Sequence, residues 1–360
     1  MKRVLSVFPG FAIGGAQLRF AALANHFSDQ WQHDIVAMDG NLAARERLDP
    51  GVVVRFHDPG LQKGDTRGNI RRIRAFLRQL QPDVLVTHNW GSIEWAMANQ
   101  VHPLVRHIHI EDGFGPEERA RQLPRRVWTR RLMLRRADVV LPSQSLLQLA
   151  RQVWRLPKPR LHYVPNGIDI ARFIPALAKP DGQPIVFGTI ATLRAEKNLT
   201  RLLHAFQLVH AISPARLVIV GDGPQAPALQ DLASALGVAD AVTFTGHLSH
   251  PATTLATFDV FALSSDTEQM PLSVLEAMAT GLPVAATDVG DVRAMLSAAN
   301  DPYVAALDVA ALAGVMQNLA SNASMRYDIG KANRAAVMTR FDQHQMFHAY
   351  ETLFFPVSAG

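Results

Sequence analysis

Two carboxylates, Glu268 and Glu276, bracket the start of an apolar run in Ser264-Ser265-Asp266-Thr267-Glu268-Gln269-Met270-Pro271-Leu272-Ser273-Val274-Leu275-Glu276-Ala277-Met278-Ala279. Pro271 suits the first helical position, where a missing N–H costs nothing, and Gly281 ahead of Leu282-Pro283 is a stop signal. The pattern predicts a helix over 272–280, with Glu268 just before it and Glu276 on its second turn. The N-terminus of such a helix presents free N–H groups and the positive end of its dipole, a natural phosphate site. Carboxylates on either side would accept hydrogen bonds from sugar hydroxyls. Taken singly, Glu268 reads equally as a helix-dipole complement and Glu276 as a solvated surface residue.

Other residues could join them. Arg194 and Lys197 lie in Thr192-Leu193-Arg194-Ala195-Glu196-Lys197-Asn198, between a predicted strand and a predicted helix, where cations pair well with phosphate. Gly14-Gly15 opens the first helix and would permit close approach of a phosphate or acceptor, although many strand-to-helix turns need glycine for backbone reasons alone. His88, His107 and His109 fall at or near predicted strand ends, each suited to a ligand role or to a hydrogen-bonded structural one. His344 and His348 have the i, i+4 spacing of a zinc pair, but Gln345 replaces the Glu of the metalloprotease motif, so they read as a surface pair. With two cations available and no Asp-x-Asp pair to hold a metal–diphosphate complex, no metal is expected.

Positioning these groups requires strands that alternate with helices. Apolar runs predict strands over 4–8, 33–38, 52–56, 82–88, 104–110 and 137–142, with helices over 17–27 and 70–80. The alternation restarts with strands over 185–190, 216–220, 242–245, 260–263 and 283–287, and helices from 199, over 229–236 and over 272–280. Such order implies an α/β protein of two doubly wound parallel sheets. The Ala-, Pro- and Gly-rich segment 175–184 reads as the linker. The expected organisation is therefore a Rossmann-like domain over 1–174, the linker, a second Rossmann-like domain over 185–340, and a C-terminal helix over 341–360.

Composition narrows the function classes. The 360 residues are 48% hydrophobic and 19% charged, enough to bury a core and incompatible with wholesale disorder. There is no Cys, so disulfides, thiolate metal sites and Cys nucleophiles are excluded. The N-terminal apolar run stops at Pro9-Gly10, too short for a signal peptide, and a cytoplasmic location is expected.

The residues around both carboxylates resemble a known family. Glu268 and Glu276, in Ser-x-x-Glu-x-x-Pro-Leu-x-x-Leu-Glu-Ala-Met-Ala-x-Gly-x-Pro-Val, are similar to the signature of retaining, two-domain (GT-B) glycosyltransferases of family 4. Asn166-Gly167-Ile168-Asp169 with Phe173, the Arg194/Lys197 pair, Val220-Gly221-Asp222-Gly223-Pro224, Phe244-Thr245-Gly246-His247 and Gly14-Gly15-Ala16-Gln17 also match. The resemblance implies two Rossmann-like domains facing each other across a cleft, an acceptor domain over 1–174 and a sugar-nucleotide-binding domain over 185–340, with the helix over 341–360 packing back on the first. It implies that Arg194 and Lys197 clamp a diphosphate, that Glu276 holds the ribose and that Glu268 faces the transferred sugar. It further assigns Gly14, Gly15, Gly221, Gly223, His247, Leu248, Gln269, Met270, Pro271 and Leu272 to nucleotide-sugar binding, and His109 to the donor sugar. Two departures stand out: Gln269-Met270 where the family commonly has Gly-Phe, and Gln17 where it has Glu.

The expected activity is transfer of a sugar from a nucleoside diphosphate to a hydroxyl of a glycan or lipid-linked acceptor in cell-surface polysaccharide biosynthesis, without cofactor. A sugar-nucleotide epimerase of the same fold, or a non-catalytic membrane-associated partner of an assembly complex, remain alternatives. A nicotinamide dehydrogenase fits less well, because Gly10-x-x-x-Gly14-Gly15 departs from Gly-x-Gly-x-x-Gly.

Charge adds a possible partner. Residues 1–172 carry 26 Lys and Arg against 15 Asp and Glu, and the remainder 10 against 16. Eight of these Arg fall in 119–136, interleaved with Leu123, Val127, Trp128, Leu132, Met133 and Leu134. That pattern reads either as a basic amphipathic helix for an anionic membrane surface or as a solvated helix packed on the first sheet. No common nucleic-acid module is recognisable.

Overall fold

The computed structural model describes residues 1–118, 121–175, 182–248 and 250–356. It divides into two units, the first comprising 1–165 and 346–360 and the second 166–345. The predicted linker lies mostly at 176–181, outside the described residues, as does Arg119.

In the first unit, strands β1 (Lys2–Phe8), β2 (Trp31–Ala37), β3 (Val54–Phe56), β4 (Val84–His88), β5 (Arg106–Ile110), β6 (Asp138–Leu141) and β7 (Leu161–Tyr163) form one sheet in the order β3-β2-β1-β4-β5-β6-β7. Every pairing is parallel. Successive side chains point to opposite faces, so Val4, Val84 and Val86 enter one core while Leu5, Val7 and Leu85 enter another. Burial on both faces is why these strands read as unbroken apolar runs. The C-terminal helix Gln343–Phe354 contributes Met346, Phe347, Tyr350, Leu353 and Phe354 to the core that contains Val4 and Trp31.

The second unit repeats the scheme with β8 (Ile185–Ile190), β9 (Ala215–Val220), β10 (Val242–Gly246), β11 (Val260–Leu263), β12 (Val284–Thr287) and β13 (Val304–Ala305), in the order β10-β9-β8-β11-β12-β13. These pairings are also parallel. Phe261 and Leu263 face one core and Val260 and Ala262 the other. The Leu199–His210 helix buries Leu202, Leu203, Phe206 and Val209, the stripe its spacing predicts.

The chain changes unit earlier than composition suggests. The Asn166 side-chain amide donates to the Met270 carbonyl at 3.0 Å, the Ile168 N–H to the Phe341 carbonyl at 2.8 Å, and Phe173 is buried in the core with Val274. These contacts attach residues 166–173 to the second unit. The boundary therefore falls at Pro165 instead of within 175–184.

Candidate active site

In an open parallel sheet, ligands bind beyond the carboxyl ends of the strands where the strand order reverses. In the second unit that point lies between β8 and β11. The segment leaving β8 carries Arg194 and Lys197, and the segment leaving β11 carries Glu268.

Lys197 Nζ lies 2.5 Å from Glu268 Oε1, and the buried Ser265 hydroxyl donates to the same oxygen at 2.7 Å. The two loops are held together by further bonds. Arg201 donates to the Ser264 carbonyl at 2.8 Å and pairs with Asp266 at 2.7 Å. The Asn198 side-chain amide donates to Asp266 at 3.0 Å, the Asp266 N–H to the Glu196 carbonyl at 2.9 Å, and the Ser264 hydroxyl to the Lys197 carbonyl at 3.0 Å. Asn198 adopts φ 43°, a left-handed conformation that Asn tolerates, and its side chain caps the Leu199–His210 helix through the Arg201 N–H. Arg194 is exposed, with no side-chain hydrogen bond or ion pair among the described residues. One cation is thus committed to Glu268 and the other is open to an incoming anion.

The helix after Glu268 spans Leu272–Ala279. Pro271 occupies its N-cap in an extended conformation, one residue earlier than expected. The first-turn N–H groups of Leu272 and Ser273 have no acceptor within the helix. Glu276, on the second turn, is partly accessible, and its carboxyl is pushed up to about 7 by burial, which outweighs the nearby positive charge of Arg172. Met270 turns into the core, where its Sδ accepts from the Asn166 N–H at 3.2 Å, while the Gln269 carbonyl accepts from the Asp291 N–H at 3.0 Å. The Gln269-Met270 departure is accommodated in this way by packing and by loop-to-loop bonds.

Gly221 and Gly223 explain themselves by close approach. At φ 133° and 157°, added Cβ atoms would stand 1.8 Å from the Ala191 carbonyl oxygen and 2.7 Å from that of Leu193. The Leu193 N–H donates to the Asp222 carbonyl and the Gln225 N–H to the Leu193 carbonyl, so this turn fixes the loop that presents Arg194. The Gly221 N–H bonds the Gly246 carbonyl at 2.9 Å, which brings the end of β10, with exposed His247 and half-buried Leu248, to the same turn.

The remaining candidates belong to the first unit. Gly14 caps the Gly15–His26 helix in an extended conformation open to any residue, and Gln17 bonds back to the Gly10 carbonyl at 2.8 Å. His109 has no accessible surface. Its Nδ1 lies 2.8 Å from the Thr87 hydroxyl, which His107 Nε2 also meets at 2.8 Å, and its Nε2 lies 3.5 Å from Glu111. His109 therefore faces polar groups of its own sheet. Burial pushes His107 and His88 down to about 3, and His88 stacks on Phe8. His344 and His348 are exposed.

The basic segment also departs from a uniformly solvated face. In the helix Pro124–Met133, Arg126 and Arg130 are buried. Arg130 pairs with Glu111 at 3.1 Å and Glu118 at 2.9 Å, and lies over the rings of Trp90, Phe114 and Trp154. Arg126 pairs with Glu117 and Glu118.

Arg201 escaped the sequence reading, as did the bonds of Asp266, Ser265 and Asn166, residues that lie within the matched motifs. Asn198, ahead of the Leu199–His210 helix, is a legible cap signal and Ser265 lies only three positions from Glu268, but Arg201 with Asp266 and Asn166 with Met270 join residues more than sixty positions apart.

The whole chain superposes on solved structures of known kind. Sucrose-phosphate synthase from Thermosynechococcus elongatus matches with a TM-score of 0.80 at 19% identity, covering 98% of both chains. HepE of Anabaena, solved with UDP and glucose, matches at 0.82 and 17% identity, covering 98% of this chain and 99% of that one. The fold is that of the GT-B glycosyltransferases.

Sequence comparison refines this class. The family model "Glycosyl transferases group 1" matches residues 184–322, and "Glycosyltransferase Family 4" matches 13–172. Relatives include 2-deoxystreptamine N-acetyl-D-glucosaminyltransferase of Streptomyces fradiae, 27% identical over 78% of this chain and 76% of its own. GDP-mannose-dependent alpha-mannosyltransferase of Mycolicibacterium smegmatis is 34% identical over 47% of this chain and 44% of its own. Between them these matches support a glycosyltransferase, one that resembles the group 1, family 4 type.

Proposed function

We propose that this protein is a retaining, metal-independent hexosyltransferase of the cytoplasm. In this reading it moves a sugar from a nucleoside diphosphate to a hydroxyl of a glycan or lipid-linked acceptor in cell-surface polysaccharide assembly. The observation that carries the reading is the pairing of Lys197 with Glu268 at 2.5 Å beside Arg194, whose side chain has no partner among the described residues, at the reversal point of the second sheet. Similar proteins support the donor class, since HepE was solved with UDP-glucose and the mycobacterial relative is named for GDP-mannose.

In the proposed reaction, Arg194 and Lys197 take the diphosphate oxygens, assisted by the N–H groups of Leu272 and Ser273. Glu276 accepts from the ribose hydroxyls and Glu268 faces the sugar. The bond between the anomeric carbon and the leaving phosphate oxygen breaks, its electron pair passing to the diphosphate. The acceptor oxygen bonds to the same face of that carbon, and its proton passes to the departing phosphate. Preorganised cations stabilise the charge that develops on the leaving group.

Incubation with a panel of sugar nucleotides, with and without glycan acceptors, tests this reading. Acceptor-stimulated release of nucleoside diphosphate is expected. Epimerised sugar nucleotide without release would favour the epimerase reading, and no turnover of any donor would favour the non-catalytic one.

A further inference from the structure

The Pro124–Met133 helix has two faces of different character. Arg126 and Arg130 point into the first unit, where carboxylates and aromatic rings neutralise and enclose them. The opposite face carries Arg125, Trp128 and Leu132, with Trp128 58% and Leu132 51% exposed. Trp128 and Leu132 are one turn apart and so stand side by side. The Arg131 guanidinium lies 5.1 Å from the Trp128 ring centre, and Arg121, Arg135 and Arg136 are exposed at the ends.

The neighbouring segment extends this surface. The Gln100 side chain donates to the Leu132 carbonyl at 3.1 Å and Arg136 donates to the Gln100 carbonyl at 3.3 Å. Val101, 67% exposed, follows directly, and Leu104 is exposed as well. Apolar tips of this size surrounded by like charge are costly to leave in water unless something covers them. No acidic residue occurs between 121 and 136, and residues 1–172 as a whole are strongly basic.

We propose that this face docks the protein on an anionic lipid bilayer. Trp128 would sit at the headgroup level with Leu132 and Val101 reaching the acyl boundary, while Arg121, Arg125, Arg131, Arg135 and Arg136 meet lipid phosphates. An indole suits that interface because it is apolar in body and polar at one edge. Arginines that have no carboxylate partner among the described residues give the charge complementarity that apolar tips alone would lack. The inference goes beyond the transfer reaction and does not depend on which donor or acceptor is used.

Tryptophan fluorescence provides a local probe. Trp31, Trp95 and Trp154 are fully buried and Trp90 is half-buried, so Trp128 is the one exposed indole among the five. Full-length protein would be titrated with phosphatidylcholine vesicles containing or lacking phosphatidylglycerol, at low and raised salt, with co-sedimentation in parallel. Expected are binding to the anionic vesicles, loss of that binding as salt rises, and a blue shift that Trp128→Phe removes. Arg125→Gln with Arg131→Gln and Arg135→Gln should weaken binding at low salt at least tenfold, because each charge near such a surface is worth roughly fivefold. Trp128→Ala should weaken it while leaving the circular dichroism of the parent. Equal binding to neutral and anionic vesicles, or full binding by both variants, would overturn the proposal. So would a concentration-dependent dimer that Trp128→Ala abolishes in a protein that ignores vesicles, since the face would then join two copies of the chain.

Discussion

Lys197 Nζ and Glu268 Oε1 stand 2.5 Å apart although 71 positions separate them in the chain. Their two loops leave adjacent strands, and the bonds of Arg201 and Asn198 to Asp266 hold the pair in register. The cation is therefore fixed before any ligand arrives, at the place where a diphosphate would meet Arg194.

The loop lattice can be tested without touching the pair. Arg201→Ala would leave the Ser264 carbonyl and the Asp266 carboxylate without their charged partner. A loss of stability of roughly 1.5–3 kcal/mol is expected from such bonds. Urea unfolding should show it, together with weaker nucleoside diphosphate binding.

Glu276 supplies a pH dependence. Burial raises its carboxyl from 4.5 to about 7 in the folded protein. Between those values the folded state holds the proton and the unfolded state does not, so this group's contribution to stability is full below about 4.5 and is lost as pH rises through about 7. Glu276→Gln should be less pH-sensitive in thermal melts across that window and should gain most relative to the parent above it. Nucleotide binding should disappear in the same variant. A parallel pH profile for parent and variant would contradict the assignment.

Gly221→Ala tests the turn beneath Arg194. Its Cβ would clash with the Ala191 carbonyl oxygen at 1.8 Å, and its φ of 133° is strained for any other residue. A loss of at least 1–3 kcal/mol is expected from the backbone alone. Calorimetry should show diminished nucleoside diphosphate binding even where the protein remains folded.

Arginines of one helix should behave in opposite ways. Arg130→Gln removes the charged partner of buried Glu111 and leaves Glu118 to Arg126 alone, and breaking a buried pair costs about 3–5 kcal/mol. Arg125→Gln, on the exposed face, should change stability by no more than about 0.5 kcal/mol. Urea midpoints of the two variants compare them directly.

Much of this architecture was legible in the chain. Strands such as Ile185–Ile190 and Val260–Leu263 are buried on both faces and declare themselves as apolar runs. Glu268 and Glu276 were legible because both flank one local helix start. Leu161–Tyr163 and Val304–Ala305 were missed, being too short to show a period. The inward turn of Arg126 and Arg130 was hidden because charge in a helix reads as solvated until its partners are known, and Glu111 and Glu118 come from outside that helix. The unit boundary was misplaced for a related reason. Composition marks the proline-rich stretch, whereas Asn166 is held by Met270, 104 positions away.

Metal independence follows from the proposed role of the two cations. Donor turnover should be unchanged by EDTA. Loss of activity restored by Mg²⁺ or Mn²⁺ would show that Arg194 and Lys197 do not suffice.

The most direct measurement is calorimetric titration of the parent, Arg194→Ala and Lys197→Ala with a nucleoside diphosphate and with the corresponding nucleoside. Each substitution should weaken diphosphate binding by roughly 1.5–3 kcal/mol, the worth of a charge-assisted hydrogen bond, and leave nucleoside binding nearly unchanged. Equal losses for the two ligands, or none for either, would contradict a diphosphate site at Arg194 and Lys197.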